Sequence, residues 1–357
     1  MLSDRFSEIT ALIQQARHHA IQTVNSELIN LYWLVGQHIN QRLANASWGE
    51  KTIDELAQHL KTYHPELKGF NRRGLYRMKQ FYETYTISKV VSLPLALLEN
   101  FQQPANAIVS SVMTQLENRG IRNTLLTQIS WTHHLVLLAR TKTEEEREYY
   151  LRLCIQEKYS VRELERQINS GVFERAMLGN QKQPPAIKEL KQDISNVFKD
   201  SYVFEFLNIP ESHSEGTLQK ALVAQMKSFI LELGRDFLFV GQEYRLQVGN
   251  SDFFIDLLFY HRGLQCLVAF ELKADKFKPE HLGQLNFYLE ALDRDVKKDN
   301  ENPSIGILLC KDKDSEVVEY ALSRNLSPAL VAEYKTQLPD KELLQQKLHL
   351  LFETRTE

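Results

Sequence analysis

Two periodicities divide this chain. Through roughly the first 180 residues, apolar side chains recur every three or four positions, as in Ala11, Leu12 and Ala16, then Leu28, Leu31, Tyr32, Val35 and Ile39. That spacing puts them on one face of a helix. Similar patterns run through 52–63, 72–86, 95–117 and 121–139, and a charged helix follows at 143–157. Ser160 and Glu163, in SVREL, stand at capping-box spacing ahead of a further helix. Breaks are expected at Ala46-Ser47-Trp48-Gly49, at Pro65 and Gly69, at Pro94 and at Gly120. No strand-like alternation occurs in this half.

The pattern fails in GNQKQPPAIKEL (179–190), whose Pro-Pro pair marks a linker. Beyond it the grammar changes. An apolar-faced helix over 217–233 ends at Gly234, a natural helix stop. Three strand-like runs follow: FLFVGQEYRLQV, DFFIDLLFYH and LQCLVAFELK, the last two joined at Arg262-Gly263 as a hairpin. Then come a helix at 279–293, a strand at 304–310, a helix at 315–324, a strand at 328–334 and a helix near 340–351. The pattern thus predicts an all-α domain over 1–180, a linker over 181–199 and an α/β domain with a mixed central sheet over 200–357.

Composition changes this picture little. With 25% charged and 43% hydrophobic residues, the chain has an ordinary soluble make-up. The N-terminal stretch lacks a basic segment leading into an apolar one, and no apolar run nears the roughly 20 residues of a membrane span. The three cysteines are scattered in apolar runs and never form CxxC, so buried free thiols and a cytoplasmic location are expected. Charge is more informative. Residues 1–190 hold 23 Lys and Arg against 19 Asp and Glu, a balance of +4, and the rest hold 20 against 27, a balance of −7. Phosphate binding therefore fits the first half better, and the second half has acid to spare for a metal.

The chemistry concentrates in the last two strand-like runs. Glu271 and Lys273 are two apart and share a strand face. With a two-residue turn at Arg262-Gly263, residue 261 pairs with 264 and Asp256 with Ala269, which sets Asp256 diagonal to Glu271. Such neighbours lie roughly 7–8 Å apart, within joint reach of one ion. Phe254, Ile255, Leu257, Leu258 and Phe259 on one side, and Val268, Ala269 and Phe270 on the other, make the surroundings apolar. Carboxylates converging there must be paired, protonated or metal-bound. Mg²⁺ (or Mn²⁺) suits a site of few carboxylates completed by water and phosphate oxygens. Lys273 stands where it can neutralise a phosphate or orient water. A structural Lys–Glu pair is the plainer alternative.

D-x₁₄-E-x-K across a hairpin, with a helix before and after, resembles the PD-(D/E)xK nuclease superfamily and its restriction-endonuclease-like fold. More narrowly, RLQVGNSDFFIDLLFYHRGLQCLVAFELKADKFKPEHLGQLNFYLEALD, with YWLVGQHI and WGEKTIDELAQHLKTYHPELKGFNRRGLYRMKQFYETY upstream, resembles the YhcG-like bacterial family over nearly the whole chain. The resemblance implies a metal-dependent nuclease, acting on DNA more readily than RNA, with Asp256 and Glu271 as metal ligands and Lys273 as catalytic partner. It also implies a supporting role for Gln284, four residues before Tyr288 on one helix face, Tyr288 being a candidate nucleic-acid contact. Relatives frequently add a Glu from the helix before the first strand; the corresponding position here is Gln219, a neutral support, which leaves a second metal in doubt. A binding or interaction module with a weakly active nuclease fold is the alternative that this departure keeps open.

In the first half, Arg72, Arg73, Arg77 and Lys79 gather at the start of a helix capped by Asn71 and are the candidate phosphate contacts. A solvated helix face is the competing reading. Trp33, Trp48 and Trp131 are expected in the helical core. The histidines do not assemble into a site, and EEERE at 144–148 reads as a solvated face. Cutting both strands of a duplex ordinarily needs two active sites, so a homodimer is a further expectation.

Overall fold

The computed structural model describes residues 6–44, 50–86, 121–122, 124–179 and 197–353. The expected helix at 95–117, the breaks at Trp48, Pro94 and Gly120, and most of the expected linker lie outside them. The chain divides into two compact units, 1–168 and 169–357.

The first unit is helical, as its periodicity predicts. It contains α1 (Ser7–Ala44), α2 (Glu50–Tyr63), α3 (Arg72–Thr86), α4 (Trp131–Arg140), α5 (Glu144–Glu157) and α6 (Val161–Asn169), the last running a residue past the division. The expected caps form: Asn71 Oδ1 accepts the Gly74 amide at 2.9 Å, and Ser160 Oγ accepts that of Glu163 at 3.2 Å. One expectation needs correction. Residues 121–139 are not one helix, because a 3-10 turn at Leu125–Gln128 precedes α4. Helix α1 crosses α3 at Gly36, where a Cβ would come within 2.1 Å of the Met78 carbonyl oxygen. Around this crossing Trp33, Phe81 and Trp131 pack edge to face, Trp33 being buried and Trp131 half-buried. His134 is fully buried beside Phe81 and donates to the Leu126 carbonyl at 2.8 Å.

The second unit contains α7 (Val172–Leu178), β1 (Ser201–Val203), α8 (Glu215–Ala224), α9 (Met226–Leu233), β2 (Phe237–Val248), β3 (Ser251–His261), β4 (Cys266–Lys276), α10 (His281–Ala291), β5 (Ile305–Asp312), α11 (Ser315–Leu322), β6 (Ala329–Lys335) and α12 (Lys341–Glu353). Helix α7 lies before residue 180 but belongs to this unit: Glu174 Oε1 accepts Gln345 of α12 at 2.9 Å, and Arg175 reaches the Ser201 carbonyl. The strands form one sheet in the order β1-β6-β5-β4-β3-β2. β2, β3 and β4 are antiparallel neighbours, and the other pairs are parallel. The sheet is mixed, with a fully covered central strand: Cys266–Leu272 is buried without interruption.

One apolar cluster joins the sheet to α8 and α9 through Leu218, Leu222 and Phe229; another joins it to α10 through Leu285 and Leu289. Gly306 lets α10 settle closely, since a Cβ there would meet the Leu285 side chain at 2.8 Å. The expected single helix over 217–233 is two, broken at Gln225, whose φ of −109° and ψ of 32° leave the helical region. No helix among the described residues is long and apolar enough to cross a membrane.

Candidate active site

The β3–β4 hairpin differs from its predicted form in register. His261 pairs with Cys266 and Leu257 with Phe270, so the connection is four residues, Arg262–Gln265, rather than two. The paired register ends at Leu257–Phe270, and one residue further it would set Asp256 opposite Glu271 instead of diagonal to it. The shift is even, so it leaves the faces of the paired stretch as predicted, whereas an odd slip would have exchanged them. The longer loop is held from outside: Asn302 donates to the Leu264 carbonyl at 2.7 Å and to that of Gln265 at 2.9 Å.

Asp256 sits where the strands lose regularity. Ile255 packs in the α10 cluster and Leu257, two residues on, in the α8–α9 cluster, so the alternation changes face at Asp256. Across from it on β2, between the pairs Gln242–Leu257 and Tyr244–Ile255, stands Glu243 with φ of 45°, a conformation a glutamate rarely adopts. Irregular rungs of this kind re-aim side chains beside active sites.

The polar contacts converge on this rung. Asp256 Oδ2 accepts the Leu272 amide at 2.8 Å, and Gln219 Nε2 donates to the Asp256 carbonyl at 3.0 Å. Lys273 Nζ donates to Glu271 Oε1 at 3.0 Å and lies 3.6 Å from Glu215 Oε2. Glu215 begins α8, one turn before Gln219, fixed by Ser214, whose hydroxyl accepts the Thr217 amide at 3.1 Å. The helix therefore brings an acid to the site after all, from a position sequence reasoning passed over. The Ser214 cap was the signal that could have located it.

Glu271 is 2% exposed, and its Oε2 has no hydrogen-bond partner. Burial, followed by the neighbouring Asp256 charge, raises the Glu271 carboxyl to about 7, against the pull of Lys273. Burial also raises Asp256, against the Leu272 amide and Lys273. Burial works to lower the Lys273 ammonium, but Glu271, Glu215 and Asp256 together hold it above the usual lysine range. Two neighbouring carboxylates, one with an orphaned buried oxygen, make a donor set fit for a hard divalent cation. Among the described residues no three His, Cys, Asp or Glu side chains enclose such a place by themselves. Mg²⁺ asks for only one or two carboxylates and keeps its remaining positions for water and phosphate.

On α10, Gln284 Nε2 donates to the Tyr288 hydroxyl at 2.7 Å. The Tyr288 ring is buried, and the Glu271 and Asp256 charges are among the influences on its phenol, so its hydroxyl belongs to the same neighbourhood. The candidate phosphate contacts of α3 lie in the other unit. Arg72 pairs with Asp54 and stacks over Tyr76, and Lys79 pairs with Glu83 at 2.7 Å, while Arg73 is exposed.

With this geometry in view, comparison with known proteins is decisive. Residues 195–349 match the YhcG PDDEXK nuclease domain, and residues 8–175 match the DUF1016 N-terminal domain. The YhcG protein of Escherichia coli (strain K12), whose name calls it a nuclease candidate, is 32% identical over 351 residues, covering 95% of this chain and 92% of that one. The chain belongs to the YhcG family of PDDEXK nucleases. Its second unit is the restriction-endonuclease-like part of this YhcG-family architecture, and the first is the helical part. Two solved structures also align: a repair endonuclease from Pyrococcus abyssi (16% identity, 33% of this chain and 47% of that one, TM-score 0.23) and EndoMS with double-stranded DNA (20%, 33% and 45%, TM-score 0.22). This chain covers less than half of either, and those scores support no inference.

Proposed function

We propose that this YhcG-family chain is a divalent-cation-dependent nuclease that hydrolyses phosphodiester bonds in DNA in preference to RNA. The observation carrying this reading is the orphaned, buried Oε2 of Glu271, a carboxylate that meets Lys273 and lies within the influence of the Asp256 charge. Asp256 and Glu271 would hold Mg²⁺ or Mn²⁺, which when bound acidifies water and neutralises charge on a phosphate oxygen. Lys273 keeps its proton and presents a fixed positive charge for the scissile phosphate. Its contacts with Glu271 and Glu215 aim it, so little reorganisation is needed on substrate binding. Gln219 pins the Asp256 backbone, and Gln284 and Tyr288 border the site from α10. Glu215, on the same helix as Gln219, brings an acid within 3.6 Å of Lys273 and supports an active rather than a merely binding fold.

Plasmid, linear and single-stranded DNA, and RNA, incubated with and without Mg²⁺, give the test. Cleavage should require the ion, and Asp256→Ala or Lys273→Ala should lower its rate by about 10²-fold or more. Activity that survives either substitution, or that persists in chelator, would remove the assignment.

A further inference from the structure

Glu215 opens α8 with its side chain 47% exposed, and it lies 3.6 Å from the largely buried Lys273. An exposed glutamate has many rotamers to lose, so it holds one place only where the start of its helix is itself fixed. Ser214 caps the first turn from within. Residues 208–214, which lead into the helix, are neither helix nor strand and take their position from the sheet. Lys311 of β5 donates to the Glu211 carbonyl at 2.8 Å. His213 Nδ1 bonds the Pro210 carbonyl at 2.8 Å, and its Nε2 meets the Tyr334 hydroxyl of β6 at 2.8 Å. A carbonyl can only accept, so Nδ1 carries the proton, and Nε2 of the neutral ring accepts from the phenol. Tyr334 is buried and its ring stacks on Phe204 at 5.8 Å, so the hydroxyl is a fixed point. Burial chiefly raises that phenol, and the Glu215 charge is among the lesser influences, which sets the two groups in one neighbourhood.

We propose that His213 and Tyr334 are positioning residues of the nuclease site: their hydrogen bond ties the start of α8 to β6 and so holds Glu215 where it aims Lys273. This rests on the reading of Lys273 and Glu215 given above. Neither residue is catalytic; both act through Glu215. The imidazole is suited to the task because one rigid ring joins loop backbone to strand, donating on one side and accepting on the other. A phenylalanine at 334 would fill the same space and keep the Phe204 stack, so the hydroxyl contributes the bond to His213 and nothing to packing. In the order β6-β5-β4, β6 stands two strands, or about 10 Å, from the strand that bears Glu271 and Lys273. The bond therefore makes a strand with no residue in the site a reference for its geometry.

Steady-state cleavage and amide exchange on the full-length chain test this. With Mg²⁺ and the DNA that wild type cuts fastest, Tyr334→Phe and His213→Ala should each lower kcat by about tenfold and leave KM within about twofold. The double variant should lose no more than either single one, because each substitution removes the same bond. In a Glu215→Ala background, Tyr334→Phe should cost nothing further. Without DNA or metal, the Thr217 amide that Ser214 caps should exchange about tenfold faster in Tyr334→Phe, while the β4 amides keep their rates. Normal cleavage by Tyr334→Phe, additive losses in the double variant, a loss that persists beside Glu215→Ala, or an unchanged Thr217 amide each overturns the positioning and leaves the nuclease reading standing. A wild type that cuts no nucleic acid overturns that reading, and this one with it.

Discussion

Glu271 shows what the site costs its protein before any ion arrives. Its carboxyl is raised from an ordinary 4.5 to about 7, chiefly by burial. The folded state therefore favours the protonated form, and the stability this confers is present in full below about pH 4.5 and lost as pH rises through 7. In chelator, Glu271→Gln should be more stable than wild type at pH 8, by on the order of 2–3 kcal/mol, and the gap should narrow toward pH 5. Mn²⁺ should stabilise wild type at pH 8 and fail to stabilise the variant, as thermal unfolding would read. Asp256, Glu271 and Lys273 were legible in the sequence because two-residue spacing and apolar flanks are local signals. Glu215 and Glu243 were not. The first depends on where a helix starts, and the second on a strand rung and a backbone angle that no short pattern encodes.

At the scale of elements, most boundaries followed from periodicity, and the exceptions have physical causes. The hairpin loop is four residues because Asn302, far along the chain, satisfies its carbonyls, and Gln265 takes a left-handed turn with φ of 51°. A local turn rule sees only Arg262-Gly263. Helix 217–233 breaks at Gln225 although its apolar positions continue without a gap, since periodicity reports faces rather than continuity. The closest helix crossing depends on one missing side chain. Gly36→Ala would drive a methyl group into the Met78 carbonyl, where backbone must move, and should cost on the order of 3 kcal/mol. Denaturant unfolding of the full chain should show that loss in the helical unit, with the sheet's transition unmoved.

For the molecule as a whole, the change from helical to alternating periodicity announced two units. What it could not announce was β1, three residues too short to alternate and paired with β6 more than a hundred positions later. The charge partition makes a separate claim. If α3 grips phosphates, Arg73→Ala with Arg77→Ala should make the plot of log affinity against log salt shallower by about 2, with little change in sequence preference. Arg72, already tied to Asp54, should contribute less. Fluorescence anisotropy across a salt series reads the slope, and an unchanged slope would remove α3 from the binding surface. The order of the two units along the chain has a consequence in time. Helix α1 precedes Asp256 by roughly 220 residues, so at cellular elongation rates it leaves the ribosome on the order of 10–40 s before the strands of the site are made. The α1–α3 crossing at Gly36 can therefore form while the sheet that carries the carboxylates is still unmade.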